Sequence, residues 1–233
     1  MPGNQPLLAA QISVHLCTGE DCVKAIIGRK VGMTRVLEDD RLVAATVVLA
    51  EPNAVLQVRT VERDGYSAIQ LGMGDLKRAN KPQQGHAKKA NASVGRWAME
   101  FKLAEGDAAP DAGSSVDVTS FAAGDVVDAM ATSKGHGFTG TVKRHNFKMG
   151  PRSHGSMNVR APGSIGSRYP QRVIKGRRMA GHYGDERTTV KHLTVLNVLP
   201  EQHLIVLRGS VPGVKGTRVV LTQSAPRAQK ASK

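Results

Sequence analysis

Gly135-His136-Gly137-Phe138-Thr139-Gly140 matches G-x-G-x-x-G, the spacing with which a glycine loop carries the phosphates of a dinucleotide. That chemistry needs a strand before the loop, a helix after it and a carboxylate about 20 residues on for the ribose. Here the following residues, TVKRHNF, start a helix poorly, and the position 20 beyond Gly140 is Arg160. The loop therefore reads as backbone that turns sharply or passes close to another surface, which glycine permits without strain. His136, His145, His154 and His182 share a segment whose only carboxylates are the adjacent Asp185 and Glu186, a poor set for acid–base or metal-assisted catalysis. Ser153 and His154 are sequence neighbours, which does not by itself set a nucleophile against its base. His15, Cys17 and Cys22 are three possible metal ligands, but the gap between the cysteines exceeds the usual thiolate pair and no second pair follows. They read as two reduced thiols in a leader. No catalytic, cofactor-binding or metal-binding residue is assigned, and no small-molecule substrate.

Charge is the chemistry that remains. Lys134–Lys191 carries thirteen Lys or Arg against Asp185 and Glu186, together with ten glycines and no apolar run that could make a core. The other residues hold 20 basic and 17 acidic side chains and are nearly neutral. Charge concentrated on a segment that cannot fold alone needs an anionic partner to order it. A net charge of +14 and a pI near 10.2 allow nucleic acid or an anionic membrane surface. No 18-residue apolar stretch is present, so nothing in the sequence spans a bilayer, and the amino-terminal residues make a poor secretory signal. A cytoplasmic protein is the expectation.

Eight aromatic residues without an RNP-like cluster disfavour single-strand readout on a stacking platform. Zinc-finger and basic-zipper patterns are absent, and the segment is too rich in Gly and Pro for a recognition helix. Backbone recognition is left, with Arg and Lys on an extended glycine-rich chain tracking the phosphates of folded RNA. The histidines read as stacking or hydrogen-bonding groups on that RNA. Arms of about 25 residues at about 3.3 Å each reach on the order of 80 Å.

The elements that must hold this segment are mostly strands. Residues 1–23 read as a loosely structured leader. Ala25-Ile26-Ile27 runs into a turn at Gly28-Arg29-Lys30, and Leu42–Ala50 is a β-branched run broken at Pro52-Asn53. Ala54–Glu62 alternates, and Asp64-Gly65 turns the chain back as Tyr66–Leu71. Within 75–114, Pro82 and Gly85 interrupt a run of helix formers, giving one or two short helices anchored by Trp97. Ser115–Val118, Asp125–Ala131, Thr188–Leu199, His203–Arg208 and Thr217–Thr222 read as strands. Strands on both sides of the basic segment must pair to bury their apolar faces, which makes that segment an excursion from a closed or nearly closed barrel. The expected organisation is a β domain over 24–133 and 188–223, with an insertion at about 75–114. A basic loop over 134–187 and a basic tail over 224–233 complete it.

Several strings resemble a known family, the third protein of the large ribosomal subunit in its bacterial form. They are FAAGDVVDAMATSKGHGFTGTVKR (Phe121–Arg144), APGSIGSR (Ala161–Arg168), GRRMAGHYGDERTTV (Gly176–Val190) and GRKVGMTR (Gly28–Arg35). The resemblance runs from about Ala25 to Thr222. It implies a mainly β fold with minor α: a six-stranded barrel of the translation-protein type, a small α/β insertion and a long basic extension that penetrates rRNA. It further implies a non-catalytic protein that binds 23S rRNA beside other large-subunit proteins and acts early in subunit assembly. The extension would run toward the peptidyl transferase centre, its tip at about Phe147–Arg160. By the same resemblance Lys143, Arg144, Arg152, His154 and Arg160 lie among rRNA near the tip, and Arg168, Arg172, Lys175, Arg177 and Arg178 hold the returning arm. Lys134, His136 and Lys148 complete the expected rRNA-binding set. Some bacterial members carry a methylated glutamine near the tip; this window reads Phe147-Lys148-Met149-Gly150, so that modification is expected to be absent. Such relatives usually begin near the Lys24 equivalent, which leaves residues 1–23 without an assigned role.

Overall fold

The computed structural model describes residues 24–38, 40–103 and 109–224. The expectations for the leader, His15, Cys17, Cys22 and residues 225–233 fall outside them. In chain order the elements are β1 (Ala25–Glu38), β2 (Arg41–Leu49), β3 (Asn53–Arg59), α1 (Val61–Asp64) and β4 (Ala68–Asp75). Next come α2 (Lys81–Lys89), β5 (Gly95–Lys102), β6 (Ser115–Val116) and β7 (Val126–Thr132). Then follow β8 (Gly137–Thr139), α3 (Thr141–His145), β9 (Gly181–Tyr183), β10 (Arg187–Leu199), β11 (Leu204–Arg208) and β12 (Arg218–Gln223). The protein is mainly β.

Six strands pair in the order β1-β12-β7-β10-β11-β2, and β2 returns to β1, so the ring has no free edge. Ile26, Val48, Ala129, Val195, Ile205, Leu207, Val219 and Leu221 fill its interior. A second sheet, β5-β4-β3-β6, lies against the outside of β1 and β12. There Ala25, Ile27 and Val220 leave the ring and pack on Val55, Ile69, Leu71, Met73 and Phe101. Adjacent residues of β1 and β12 thus serve two cores, which is why Ala25-Ile26-Ile27 and Val219-Val220-Leu221 are continuous apolar runs rather than alternating ones.

Three expectations need correction. Gly28 makes no turn, because β1 runs straight through it and a Cβ there would meet Val48 Cγ1 at 2.6 Å and Leu49 O at 3.0 Å. The glycine serves close strand packing, with the register shift falling later, between Lys30 and Gly32. Gly95–Lys102 is strand β5, with Trp97, Met99 and Phe101 turned inward at period two; among the described residues of this region only Lys81–Lys89 is helical. Pro82 sits in the first turn of α2, where its missing N–H costs nothing, and Gln83 Oε1 accepts the Asn80 N–H at 3.0 Å. Lastly, Asp64-Gly65 does not form a two-residue hairpin turn. It closes the single turn α1, with Gly65 left-handed at φ 81°.

Lys24 and Asp125 join the start of β1 to the approach of β7. Asp125 Oδ2 accepts the Lys24 ammonium at 3.0 Å and the Ala122 N–H at 3.0 Å. Burial pushes the Asp125 carboxyl up, but the Ala122 N–H and the Lys24 charge outweigh it, and the group ends below its ordinary 3.8. A depressed carboxyl stabilises the fold above its unfolded value, and that contribution is lost as pH falls through the lower folded value. Asp125→Asn is expected to cost about 0.5–1 kcal/mol at neutral pH and to lose less stability than the native chain between pH 5 and pH 3. Urea unfolding at the three pH values checks it.

Candidate nucleic-acid interface

The basic segment leaves and re-enters the ring through neighbouring strands. Thr132 on β7 faces Arg187 on β10, and the ladder continues outward as Ser133 N–H to Glu186 O (2.9 Å) and His136 N–H to Tyr183 O (2.8 Å). It ends in the short β8–β9 pair, Gly137 opposite Tyr183 and Thr139 opposite Gly181. Gly184 is buried at φ 76°, and a Cβ there would run into Lys134 O, so the ribbon needs glycine at this position. The segment thus has a structured root that its lack of apolar runs did not reveal.

Helix α3 follows the glycine loop directly, contrary to the expectation for TVKRHNF. Tertiary contacts make it: Thr141 is buried, the Arg144 guanidinium donates to Met179 O at 2.8 Å, and His145 Nε2 lies 3.1 Å from the same carbonyl. Asn146 then ends the helix in the left-handed region at φ 58°. The strand and helix flanks of a cofactor loop are present in miniature, but α3 is one turn long and the ribose carboxylate position is still Arg160.

Between α3 and β9 the described chain has no regular element, and every residue from 160 to 178 is exposed. Gly150 N–H donates to Val159 O at 2.9 Å and pinches off the tip, and a Cβ on Gly150 would strike Asn158 O. Arg177 donates to Ser164 O at 2.6 Å, closing a loop within the returning arm. Of the thirteen expected contact residues, Lys134, His136, Lys143, Lys148, Arg152, His154, Arg160, Arg168, Arg172, Lys175, Arg177 and Arg178 are exposed. Arg144 alone is half-buried, and one of its guanidinium N–H groups donates to the Met179 carbonyl, which ties it to the root. Among the described residues none of the thirteen forms an ion pair. Apolar side chains are exposed beside them, Met157 fully and Tyr169 and Ile174 by 71% and 61%. A chain laid out this way offers cations and flat apolar surface together, with little of either satisfied internally.

A second basic surface was missed. Lys77, Arg78, Lys81, Lys88, Lys89, Arg96 and Lys102 are all exposed on α2, β5 and their flanks, without ion-pair partners among the described residues. The signal was available in the sequence: between Asp75 and Lys102 these seven face only Asp75 and Glu100. Averaging over everything outside the long segment had hidden it. No helix of the described residues is long and apolar enough to cross a membrane, and no group of three or more His, Cys, Asp or Glu side chains among them is placed to hold a metal.

The sequence compares closely with known proteins. A family model described as ribosomal protein L3 matches residues 91–200. The large ribosomal subunit protein uL3 of Shouchella clausii is 47% identical over 206 residues, 88% of this chain and 99% of that protein. The protein of the same name from Streptococcus gordonii is 46% identical over 210 residues, 89% of this chain and 99% of its own length. With nearly the whole of both relatives aligned at that identity, the chain belongs to the ribosomal protein L3 family.

Proposed function

We propose that the protein is a non-enzymatic structural constituent of the large ribosomal subunit, in the cytoplasm, that binds 23S rRNA directly. The ring and its second sheet form a translation-protein-type domain that seats on the RNA. The 134–187 arm threads inward toward the peptidyl transferase centre, and the protein acts early in subunit assembly beside neighbouring large-subunit proteins. The observation that carries this reading is the arm itself: twelve exposed expected contact residues, most of them cations without carboxylate partners, on a chain with almost no regular structure beyond its root. In solvent alone such a segment repels itself; among phosphates each cation displaces a counterion.

Arg152 and Arg160 sit at and beside the pinched tip. Replacing both with alanine is expected to leave the thermal unfolding of the free protein unchanged. The slope of log affinity against log salt for a 23S rRNA transcript should shrink by about 1.5, at about 0.7–0.9 per phosphate contact. In cells the same variant should deplete complete large subunits on a sucrose gradient. An unchanged slope together with an unchanged subunit profile would remove these residues from the interface.

A further inference from the structure

Where the root of the arm meets the ring there is a cleft of about 490 Å³, lined by β1, the β8–β9 ribbon and the β11–β12 loop. Its volume lies in the range of small-molecule sites. Lys30 lines it although only 8% exposed. Its ammonium donates to Val211 O at 2.7 Å and Gly213 O at 3.3 Å, leaving a third N–H without a carboxylate or other acceptor among the described residues. Lys134 lines the same cleft, and burial together with the Lys134 charge draws the Lys30 pKa below its ordinary 10.5. A buried cation beside a second cation is costly, and an anion between them offsets both effects. The one carboxylate of the lining, Glu186, is exposed.

Beside these charges His136 and Tyr183 stack with centroids 5.1 Å apart and planes 18° from parallel. Both rings line the cleft and both are exposed, Tyr183 by 39%. Each ring spends one face on the other, which leaves an outer face for a third ring. Ser210 is an exposed hydroxyl on the same wall. Cations for a phosphate, a stack for a base and a hydroxyl for a sugar therefore converge on one cavity.

We infer that the cleft takes one unpaired nucleotide, its base added to the His136–Tyr183 stack and its phosphate held by Lys30 and Lys134. This deepens the RNA-binding reading and rests on it where the nucleotide belongs to rRNA. A free nucleotide offers the same chemistry. The test irradiates the full chain at 254 nm with a 23S rRNA transcript, and separately with millimolar adenosine 5′-monophosphate. Trypsin and mass spectrometry then read the peptides Gly135–Lys143 and Met179–Arg187, which carry His136 and Tyr183. A nucleotide adduct on either peptide is expected, from the transcript if the source is rRNA and from the monophosphate if it is free nucleotide. Tyr183→Leu should abolish it and, for the transcript, weaken binding about tenfold, the range of one base stack. Ser210→Glu, an exposed change that places a carboxylate on the cleft wall without touching the stack, should weaken binding to a similar extent. Absence of adducts with both probes, or native affinity in both variants, overturns the inference while transcript binding by the native chain preserves the wider reading. Failure of the native chain to bind the transcript overturns the wider reading, and failure to form an adduct with the monophosphate as well overturns both.

Discussion

Raising monovalent salt from 50 to 200 mM is expected to weaken binding of the protein to a 23S rRNA transcript by about 10⁴-fold. The 134–187 arm carries twelve Lys or Arg, and Arg144 donates to Met179 O. If about eight of the remaining cations each neutralise a phosphate, log affinity falls with log salt at a slope of about −6 to −7. A fourfold rise in salt then costs nearly four decades. The seven cations on and around α2 and β5 can only steepen this if they also face RNA. Filter binding or fluorescence titration at four salt concentrations gives the slope directly. A value shallower than about −3 would mean that most of the exposed cations do not touch phosphate, and would transfer the burden of binding to the rings and apolar side chains of the arm.

Leu207→Ala should remove about 2–5 kcal/mol of folding stability, a large share of the roughly 5–15 kcal/mol typical of a domain. Leu207 is fully buried inside the ring, on β11 between β10 and β2, where Ile26, Val48, Val195 and Leu221 share its cluster. A closed ring of hydrogen-bonded strands cannot contract around a missing side chain as a loose surface can, so the cavity persists and its lining loses dispersion contacts. At about 2–4 °C per kcal/mol for a chain of this size, the melting temperature should drop by on the order of 10 °C. Leu42→Ala supplies the contrast. Leu42 is 67% exposed on β2, and its loss should stay within about 0.5 kcal/mol. Denaturant unfolding of the two variants side by side distinguishes a packed ring from a loosely apposed one.

The strands of the ring could be read because their chemistry is local: β2, β7, β10, β11 and β12 each fall within two residues of an apolar run visible in the sequence. What escaped reading was decided by neighbours distant in sequence. Gly28 looks like a turn until Val48 is seen pressing on it. Trp97, Met99 and Phe101 do alternate, but a window shared with the helix formers of α2 concealed the period. The split of one apolar run between two cores, as in Ile26 and Ile27, is invisible without the second sheet. The arm shows the same division. Its charge was plain from composition, and the exposure of twelve of the thirteen chosen residues followed from their types. The root was not plain, because β8, β9 and α3 are held by the Met179 carbonyl, by the buried Thr139 and Thr141 and by a glycine that only the ribbon requires.

The strand order of the ring also fixes a sequence of events in time. On a nascent chain, residues 134–186 are finished before β10, β11 and β12 exist. Of the six pairings in the ring, only β1 with β2 joins strands both made by then; β12 with β1, β12 with β7, β10 with β7 and β11 with β2 all close across the arm. Each of those closures must overcome the loop entropy of more than fifty intervening residues. An RNA that gathers the arm into a hairpin brings its two ends together and removes much of that cost. If RNA captures the arm as proposed, capture and completion of the ring would be thermodynamically linked, and the RNA would serve as a folding template for the domain.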